Sequence, residues 1–403
     1  MEYKNHKISE YHYELPNEKI AKYPLPNRAD SKLLVFKDKK IQENRFSQIS
    51  DFFDSSDLLV FNNTKVIQAR LFFRKETGSN IEIFCLEPFQ PAEYSQSFQA
   101  SSECSWKCIV GNSKKWKKGK LELILNDKTK NTILTAERIS QTGETQIIEF
   151  HWDNPRFSFA DILETFGRTP IPPYLNRKSE ESDKSRYQTV YSKFDGSVAA
   201  PTAGLHFTTD ILENLKIKNI RTSEITLHVG AGTFKPMKSA TSDLHEMHTE
   251  HFSIDKENLK LISKSGGNIT AIGTTTVRSL ESIYWIGVKL ILHLENPFHI
   301  SQKEVYDFPT HFKPTEALQA VETEMNKQNS EQIWASTQIM IVPGYEFKMV
   351  NKLVTNFHQP QSTLLLLVAA FTKDDNWIKI YNYALQNDFR FLSYGDSSLL
   401  IST

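Results

Sequence analysis

The chain has 403 residues, with 48 basic and 48 acidic side chains and no formal net charge. That length exceeds one ordinary core and calls for two domains, or one large domain carrying an insertion. A hydrophobic fraction of 39% with 11% aromatics excludes global disorder, and charge neutrality excludes a protein that coats nucleic acid indiscriminately.

Residues 1–30 hold no apolar core, so a secretory leader is not expected. The longest apolar run, residues 364–371, is far short of the roughly 20 needed to cross a bilayer. Cys85, Cys104 and Cys108 are too few, and odd in number, for a disulfide framework, so a reducing cytoplasm is the expected location.

In chain order, residues 32–36 and 58–61 read as short buried strands, the second running into the turn-forming Asn62, Asn63 and Thr64. From residue 66 to 152 the texture changes. Apolar or alternating runs at 81–86, 106–110, 121–125, 132–136 and 146–152 are separated by polar breaks. Strands so close together, with no convincing helix between them, predict a small antiparallel barrel or sandwich. Beyond it, helices are expected over 160–166 and 209–215, and strands over 225–229 and 269–272, the latter feeding a helix over 275–286. Strands over 339–342 and 352–356 and helices over 362–372 and 377–385 follow, with blurred boundaries between 287 and 332. The expected fold is α/β: a layered mixed-sheet main domain from residues 1–65 and 154–403, with an inserted all-β barrel-like domain over 66–153.

Chemistry-bearing residues gather in four segments where strands meet loops. These are Ala200-Pro-Thr-Ala-Gly-Leu-His-Phe207, Leu227-His-Val-Gly-Ala-Gly-Thr-Phe234, Gly273-Thr-Thr-Thr-Val-Arg-Ser-Leu-Glu281 and Thr355-Asn-Phe-His-Gln-Pro-Gln-Ser-Thr363. In an α/β sheet such segments lie at the carboxyl ends of strands, where ligands bind. Gly230 and Gly232 lack the third glycine of a nucleotide fingerprint, and a tight turn explains them equally well. Arg278 and Glu281 are either a weak surface pair on a helix or, for Arg278, a carboxylate holder near a strand-to-helix junction. The hydroxyls of residues 274–276 are caps or ligands. His206, His228 and His358, each near Gly or Pro at a strand or loop end, favour function over packing.

His245-x-x-His248-x-x-His251 departs from the zinc-protease spacing and reads as a polar loop rather than a metal site. Cys104 and Cys108 read as packing. Within residues 101–130, eight lysines stand against three acids, with Trp116 among them. That composition suits phosphate contact and base stacking, although a solvated hairpin tip is the simpler reading.

The ordered motifs carry a resemblance. They run from Tyr13-Glu-Leu-Pro16 and Tyr23-Pro24 through Leu59-Val-Phe-Asn-Asn-Thr-Lys65, Ala69-Arg-Leu71 and Ile81-Glu-Ile83. They continue in Pro170-Ile-Pro-Pro-Tyr174, Tyr187-Gln-Thr-Val-Tyr191, the four segments above and Arg390-Phe-Leu-Ser-Tyr-Gly-Asp396. Together they closely resemble the S-adenosylmethionine:tRNA ribosyltransferase-isomerase family of queuosine biosynthesis, over most of the chain but weakly within the insertion after Ile83.

The resemblance implies an α/β fold with an inserted β-barrel. It also implies an enzyme that uses S-adenosylmethionine as a ribosyl-donating substrate, without a prosthetic group. The ribosyl carbons pass to the aminomethyl group of 7-aminomethyl-7-deazaguanine at the tRNA wobble position. Adenine and methionine leave, and the sugar rearranges to the epoxycyclopentanediol of epoxyqueuosine. The implied partners are tRNA and S-adenosylmethionine, with no membrane, and a monomer is the favoured state.

This chemistry asks for a base to take a C5′ proton acidified by the sulfonium and for a proton donor to the departing adenine. On the matching motifs, His228 and His358 are the expected acid/base residues, with His206 second. Arg278 is expected to hold the methionine carboxylate, and Asn62, Asn63, Thr233 and Thr274 to bind hydroxyls or adenine. Arg70, Thr202, Gly204, Gly230, Gly232, Thr275, Glu281 and Asn356 complete the expected substrate site. Lys114, Lys115, Trp116, Lys117 and Lys118 form the expected RNA-facing patch, and no metal is expected.

The chain departs from the family pattern at Lys32, Gln68 and Gln361 and in the long segment 287–332. A divergent relative acting on another target, and a catalytically silent RNA-binding protein, are the alternatives.

Overall fold

A computed structural model describes residues 3–75, 78–126, 131–230, 237 and 239–402. The chain opens with β1 (Lys32–Lys37), β2 (Lys40–Arg45), β3 (Leu58–Asn62) and β4 (Thr64–Val66). It then makes β5 (Arg70–Arg74), β6 (Asn80–Gln90), α1 (Tyr94–Gln99), β7 (Glu103–Gly111), β8 (Leu121–Asn126), β9 (Asn131–Thr142) and β10 (Thr145–Trp152). After α2 (Phe159–Phe166), α3 (Asp183–Arg186) and β11 (Phe194–Ser197), strands and helices alternate. These are α4 (Thr209–Ile217), β12 (Arg221–His228), β13 (Glu250–Asp255), α5 (Lys256–Ser263), β14 (Ile269–Ile272) and α6 (Thr274–Ile291). The chain ends with β15 (His299–Ile300), α7 (Pro314–Lys327), β16 (Gln332–Thr337), β17 (Lys352–Asn356), α8 (Thr363–Thr372), α9 (Asn376–Gln386) and β18 (Ser397–Ile401).

The described strands form a ten-stranded mixed sheet in the order β15-β16-β13-β12-β3-β14-β17-β18-β1-β2. Its centre, β12, β3, β14 and β17, is parallel, and β13 and β18 add antiparallel on either side. Buried parallel strands read as unbroken apolar runs because helices cover both faces. In β3, Leu58 and Val60 pack with Val277 and Leu280 of α6 on one face. Leu59 and Phe61 pack with Ile211 and Leu215 of α4 on the other.

The second sheet is antiparallel, in the order β5-β6-β7-β10-β9-β8, and β5 lies against β8, so its edges approach and the sheet is barrel-like. Burial in β10 alternates residue by residue, as a strand with one dry face requires. Leu71, Phe73, Ile83, Trp106, Leu134 and Phe150 fill the interior.

Three expectations need correction. The insertion does contain a helix, α1, whose polar sequence hid it. Residues 339–342 are not a strand. The Ile339 and Met340 carbonyls accept from Arg278 Nε and the Tyr306 hydroxyl, and the Val342 N–H donates to that hydroxyl, so the segment is a buried loop bonded to side chains. The strand expected there is β16, immediately upstream.

Finally, the blurred stretch 287–332 is ordered: α6 extends to Ile291, and α7 begins at Pro314, a residue suited to a first helical turn. The two helices cross so closely that a Cβ at Gly287 would stand 2.2 Å from the Ala317 carbonyl oxygen.

Candidate functional site

The carboxyl ends of β14 and β17, with Val229 just beyond β12, open into a cavity of about 70 Å3. Thr202, Thr274, Thr275, Asn356, His358 and Ser393 supply most of its chemistry. Gly273 makes the switch from β14 into α6 with φ +95°, a backbone conformation open to glycine and strained for other residues. It offers no side-chain cap, so the first N–H groups of α6 lack an intrahelical partner at the cavity wall. A second helix, α8, also starts here, but Ser362 Oγ caps it by accepting from the Leu365 N–H at 3.2 Å.

One hydrogen-bonded chain crosses the wall. Asn356 Nδ2 donates to His206 Nε2 at 3.0 Å and lies 3.3 Å and 3.4 Å from the Leu392 and Asp396 carbonyls, which orients the amide. His206 Nε2 is therefore the acceptor, and Nδ1–H donates to Ser31 Oγ at 2.9 Å. Ser31 passes its own proton toward the Arg28 carbonyl at 3.2 Å. The Asn356 Oδ1 atom is buried and has no donor among the described residues. A buried acceptor left bare costs free energy.

His358 is half-buried, with Nε2 2.8 Å from Thr355 Oγ1, its backbone N–H donating to the Tyr381 hydroxyl, and its carbonyl accepting from Tyr13. Burial pushes its pKa well below the ordinary histidine value, and burial lowers His206 to about 4. Both rings are neutral at neutral pH, and the His206 ring is committed at both nitrogens, to Asn356 and to Ser31.

Other expected site residues lie elsewhere. His228 does not line the cavity. It is buried in a stack between Tyr94 of α1 (4.1 Å between centroids) and Trp334 of β16 (6.2 Å), so it fastens the inserted unit to the main sheet. Arg278 is 4% exposed, and its Nη1 pairs with Glu250 while its Nε donates to Ile339 O. Glu281 is fully buried and does not pair with Arg278. It accepts from the Tyr345 hydroxyl and the N–H groups of Lys348, Met349 and Val350. The weak surface pair is thus replaced by two separate buried clusters.

Asn62 is satisfied by Leu227 and Thr64, and Asn63 by Glu224 and Thr226, so both lock the end of β3 to β12. Gly204 has the Tyr191 hydroxyl against its Cα, where a Cβ would sit 1.8 Å away. Gly230 follows Val229 beside His248, whereas Gly232 and Thr233 lie outside the described residues.

Arg70 pairs with Glu82 on the barrel. Lys114, Lys115, Lys117 and Lys118 are exposed, but Trp116 is not available for base stacking. It is 1% exposed, donates to Gly119 O and is covered by Arg138, because it fills the end of the barrel core. His248 lies 3.3 Å from Glu250, and His251 sits on β13. The three cysteines are free and buried.

Among the departures, Lys32 pairs with Glu43 and Asn387 O, Gln68 with Glu164, and the backbone of Gln361 with Tyr11 and Met237. None of these side chains lines the cavity.

Thr355, Ser393 and Tyr174 were missed as site residues, although all three line the cavity. Their signal was present, since they stand in motifs already noted, and Tyr174 and Ser393 share a hydrogen bond between hydroxyls.

Residues 8–400 match the model of a family described as queuosine biosynthesis protein. The chain is 38% identical over 401 residues to the S-adenosylmethionine:tRNA ribosyltransferase-isomerase of Sulfurihydrogenibium sp. (strain YO3AOP1), covering 98% of this chain and 100% of that one. It is 38% identical over 400 residues to the protein of the same name from Thermotoga maritima, again covering 98% and 100%. A crystal structure of S-adenosylmethionine tRNA ribosyltransferase from Thermotoga maritima aligns at 29% identity, over 97% of this chain and 100% of that one, with a TM-score of 0.46.

Proposed function

The chain belongs to the queuosine biosynthesis protein family, and we infer that it acts as an S-adenosylmethionine:tRNA ribosyltransferase-isomerase. The reaction transfers the ribosyl group of S-adenosylmethionine to 7-aminomethyl-7-deazaguanine at the wobble position and isomerises it, giving epoxyqueuosine-tRNA, adenine and methionine. The family match over residues 8–400 is the observation that carries this reading. The cavity at the strand ends supports it with groups suited to the chemistry.

His358, the imidazole that lines the cavity, takes the C5′ proton that the sulfonium acidifies. The imidazolium so formed holds that proton in the same cavity, where it passes to the departing adenine. One histidine then serves as base and acid in turn. Asn356 Oδ1 accepts an N–H from adenine or from the aminomethyl group, and Thr202, Thr274 and Thr275 face the sugar hydroxyls.

A wide cleft of about 670 Å3, lined by Pro172 and Pro173 among others, suits the tRNA backbone. Arg168 there stacks over the partly exposed Phe72 at 5.0 Å, and neither Arg168 nor Lys178 has a carboxylate partner among the described residues. Asn112 also lines the cleft, which brings the exposed lysines 114 and 115 to its edge. Among the described residues no helix is long and apolar enough to cross a membrane. Action as a monomer in the cytoplasm belongs to the same reading.

The test incubates the protein with S-adenosylmethionine and tRNA bearing the aminomethyl base, following adenine and digested nucleosides by mass spectrometry. Adenine with epoxyqueuosine is the expected result. S-adenosylhomocysteine in place of adenine would indicate methyl transfer, and tRNA binding without turnover a silent binder.

A further inference from the structure

Arg28, Arg186 and Arg390 come together around a small cavity of about 20 Å3, lined also by Ser31, His206 and Ser393. They arrive from distant parts of the chain: the turn before β1, the end of α3 and the loop after α9. Arg390 is compensated, with Nη2 3.0 Å from Asp396 Oδ1. Among the described residues neither Arg28 nor Arg186 has a carboxylate partner. Arg28 donates to Gln188 O at 2.9 Å, and Arg186 donates to the carbonyls of Pro26 and Leu25.

Both are half-buried, and burial, followed by the repulsion of Arg186, lowers the Arg28 pKa from its ordinary value. Neighbouring like charges are costly where water is partly excluded, and an anion relieves that cost. Guanidinium groups present paired donors that match a carboxylate or phosphate. A cavity of this size admits one small polar group.

Its position gives that group an origin. Ser393 lines both this cavity and the larger one, and Asn356 of the larger cavity holds the His206 ring that lines the smaller. An anionic arm on a molecule seated beside Asn356 and His358 has a receptor next door. Arg278, paired with Glu250 through Nη1, lines neither cavity.

We propose that Arg28, Arg186 and Arg390 form an oxyanion subsite that receives the carboxylate or phosphate of a substrate whose reacting part occupies the neighbouring cavity. The identity of that substrate rests on the enzymatic reading above, which offers two sources. One is the amino-acid carboxylate of S-adenosylmethionine, and the other is a tRNA phosphate next to the modified nucleotide.

Inorganic phosphate probes the subsite irrespective of the reaction. Thermal unfolding of the full chain is followed with and without phosphate for the wild type, Arg186→Gln, Arg186→Lys and the control Lys216→Gln on the exposed side of α4. Phosphate raises the Tm of the wild type and the control; Arg186→Gln loses that rise and Arg186→Lys recovers part of it. Affinities for S-adenosylmethionine and for tRNA are then measured separately, and Arg186→Gln weakens one of them by about tenfold or more.

Loss for S-adenosylmethionine alone assigns the carboxylate. Loss for tRNA alone, with a shallower salt dependence, assigns the phosphate. Equal phosphate protection in wild type and Arg186→Gln, or unchanged affinity for both substrates in a folded Arg186→Gln, overturns the subsite. Adenine release by the wild type is scored apart. Its absence with phosphate protection intact sinks the enzymatic reading and leaves the anion subsite standing.

Discussion

Two polar clusters lie inside the main domain, and they differ in how completely their hydrogen-bonding capacity is satisfied. Midway along α6, Glu281 accepts from four donors and is saturated, whereas Arg278 nearby pairs with Glu250 through Nη1 and leaves Nη2 without a partner among the described residues. At the cavity wall, among the described residues, Asn356 Oδ1 is bare, His358 is bonded at one ring nitrogen, and Arg28 and Arg186 lack carboxylate partners. A saturated cluster is complete without a ligand, and removing a member damages the fold. An unsaturated cluster is held by its surroundings at some cost, and removing a member damages binding or chemistry.

The largest expected effect falls on the unsaturated side. His358→Ala lowers adenine release by about 10²- to 10⁴-fold, while the unfolding midpoint stays close to wild type. Turnover within threefold of wild type would end its assignment as the base. His228→Ala is its counterpart. It loses a stack between Tyr94 and Trp334, so stability falls by about 1–2 kcal/mol while turnover per folded molecule is kept.

Glu281→Ala should act on folding alone, costing about 3 kcal/mol in urea unfolding because it strands four buried donors. A comparable loss of adenine release per folded molecule would break the contrast.

The pH dependence sharpens it further. Burial raises the Glu250 pKa, but Arg278 and His248 outweigh that and hold it below the ordinary value of 4.5. A depressed acid contributes stability above its unfolded pKa, and that stability is lost as pH falls through the folded value. Glu250→Gln should therefore flatten the wild-type stability loss below about pH 4.5.

His206 is depressed from 6.5 to about 4, mainly by burial. Its contribution is present above pH 6.5 and is lost toward pH 4, so His206→Gln removes part of the slope in that higher window. Urea unfolding across pH 3–8 separates the two windows.

The smallest effect is electrostatic and lies outside both clusters. Changing Lys114, Lys115, Lys117 and Lys118 together to Gln should weaken tRNA binding modestly and reduce its salt slope, with little change in stability, since all four are exposed. An unchanged salt slope would remove these lysines from the RNA surface.

Much of the fold was legible. The unbroken apolar runs of β3 and β14 announced strands buried on both faces, and closely spaced alternating runs announced the second sheet. α7 could have been found, because Ala317, Leu318, Val321 and Met325 recur at helical spacing, but its many charged and small residues weakened the pattern. Residues 339–342 misled because an apolar run signals burial, and a buried loop satisfies that signal as well as a strand does.

For the site, His206, Asn356, His358, Thr202, Thr274 and Thr275 were marked and the structure gathers them. Trp116 and Arg278 were marked and lie in cores.

The amino-acid sequence by itself determined which residues leave water and with what period, and therefore the mixed sheet, the barrel-like insertion and the strand ends where ligands gather. It also placed the chain in its family through ordered motifs spread along its length. Tertiary structure alone decided which polar residue is satisfied and which is not. Arg278 meets Glu250, 28 residues away, whereas Arg28 and Arg186, 158 apart, meet each other and, among the described residues, no acid. Periodicity reports burial one residue at a time, while pairing depends on which distant segments the packed sheet and helices bring within hydrogen-bonding distance.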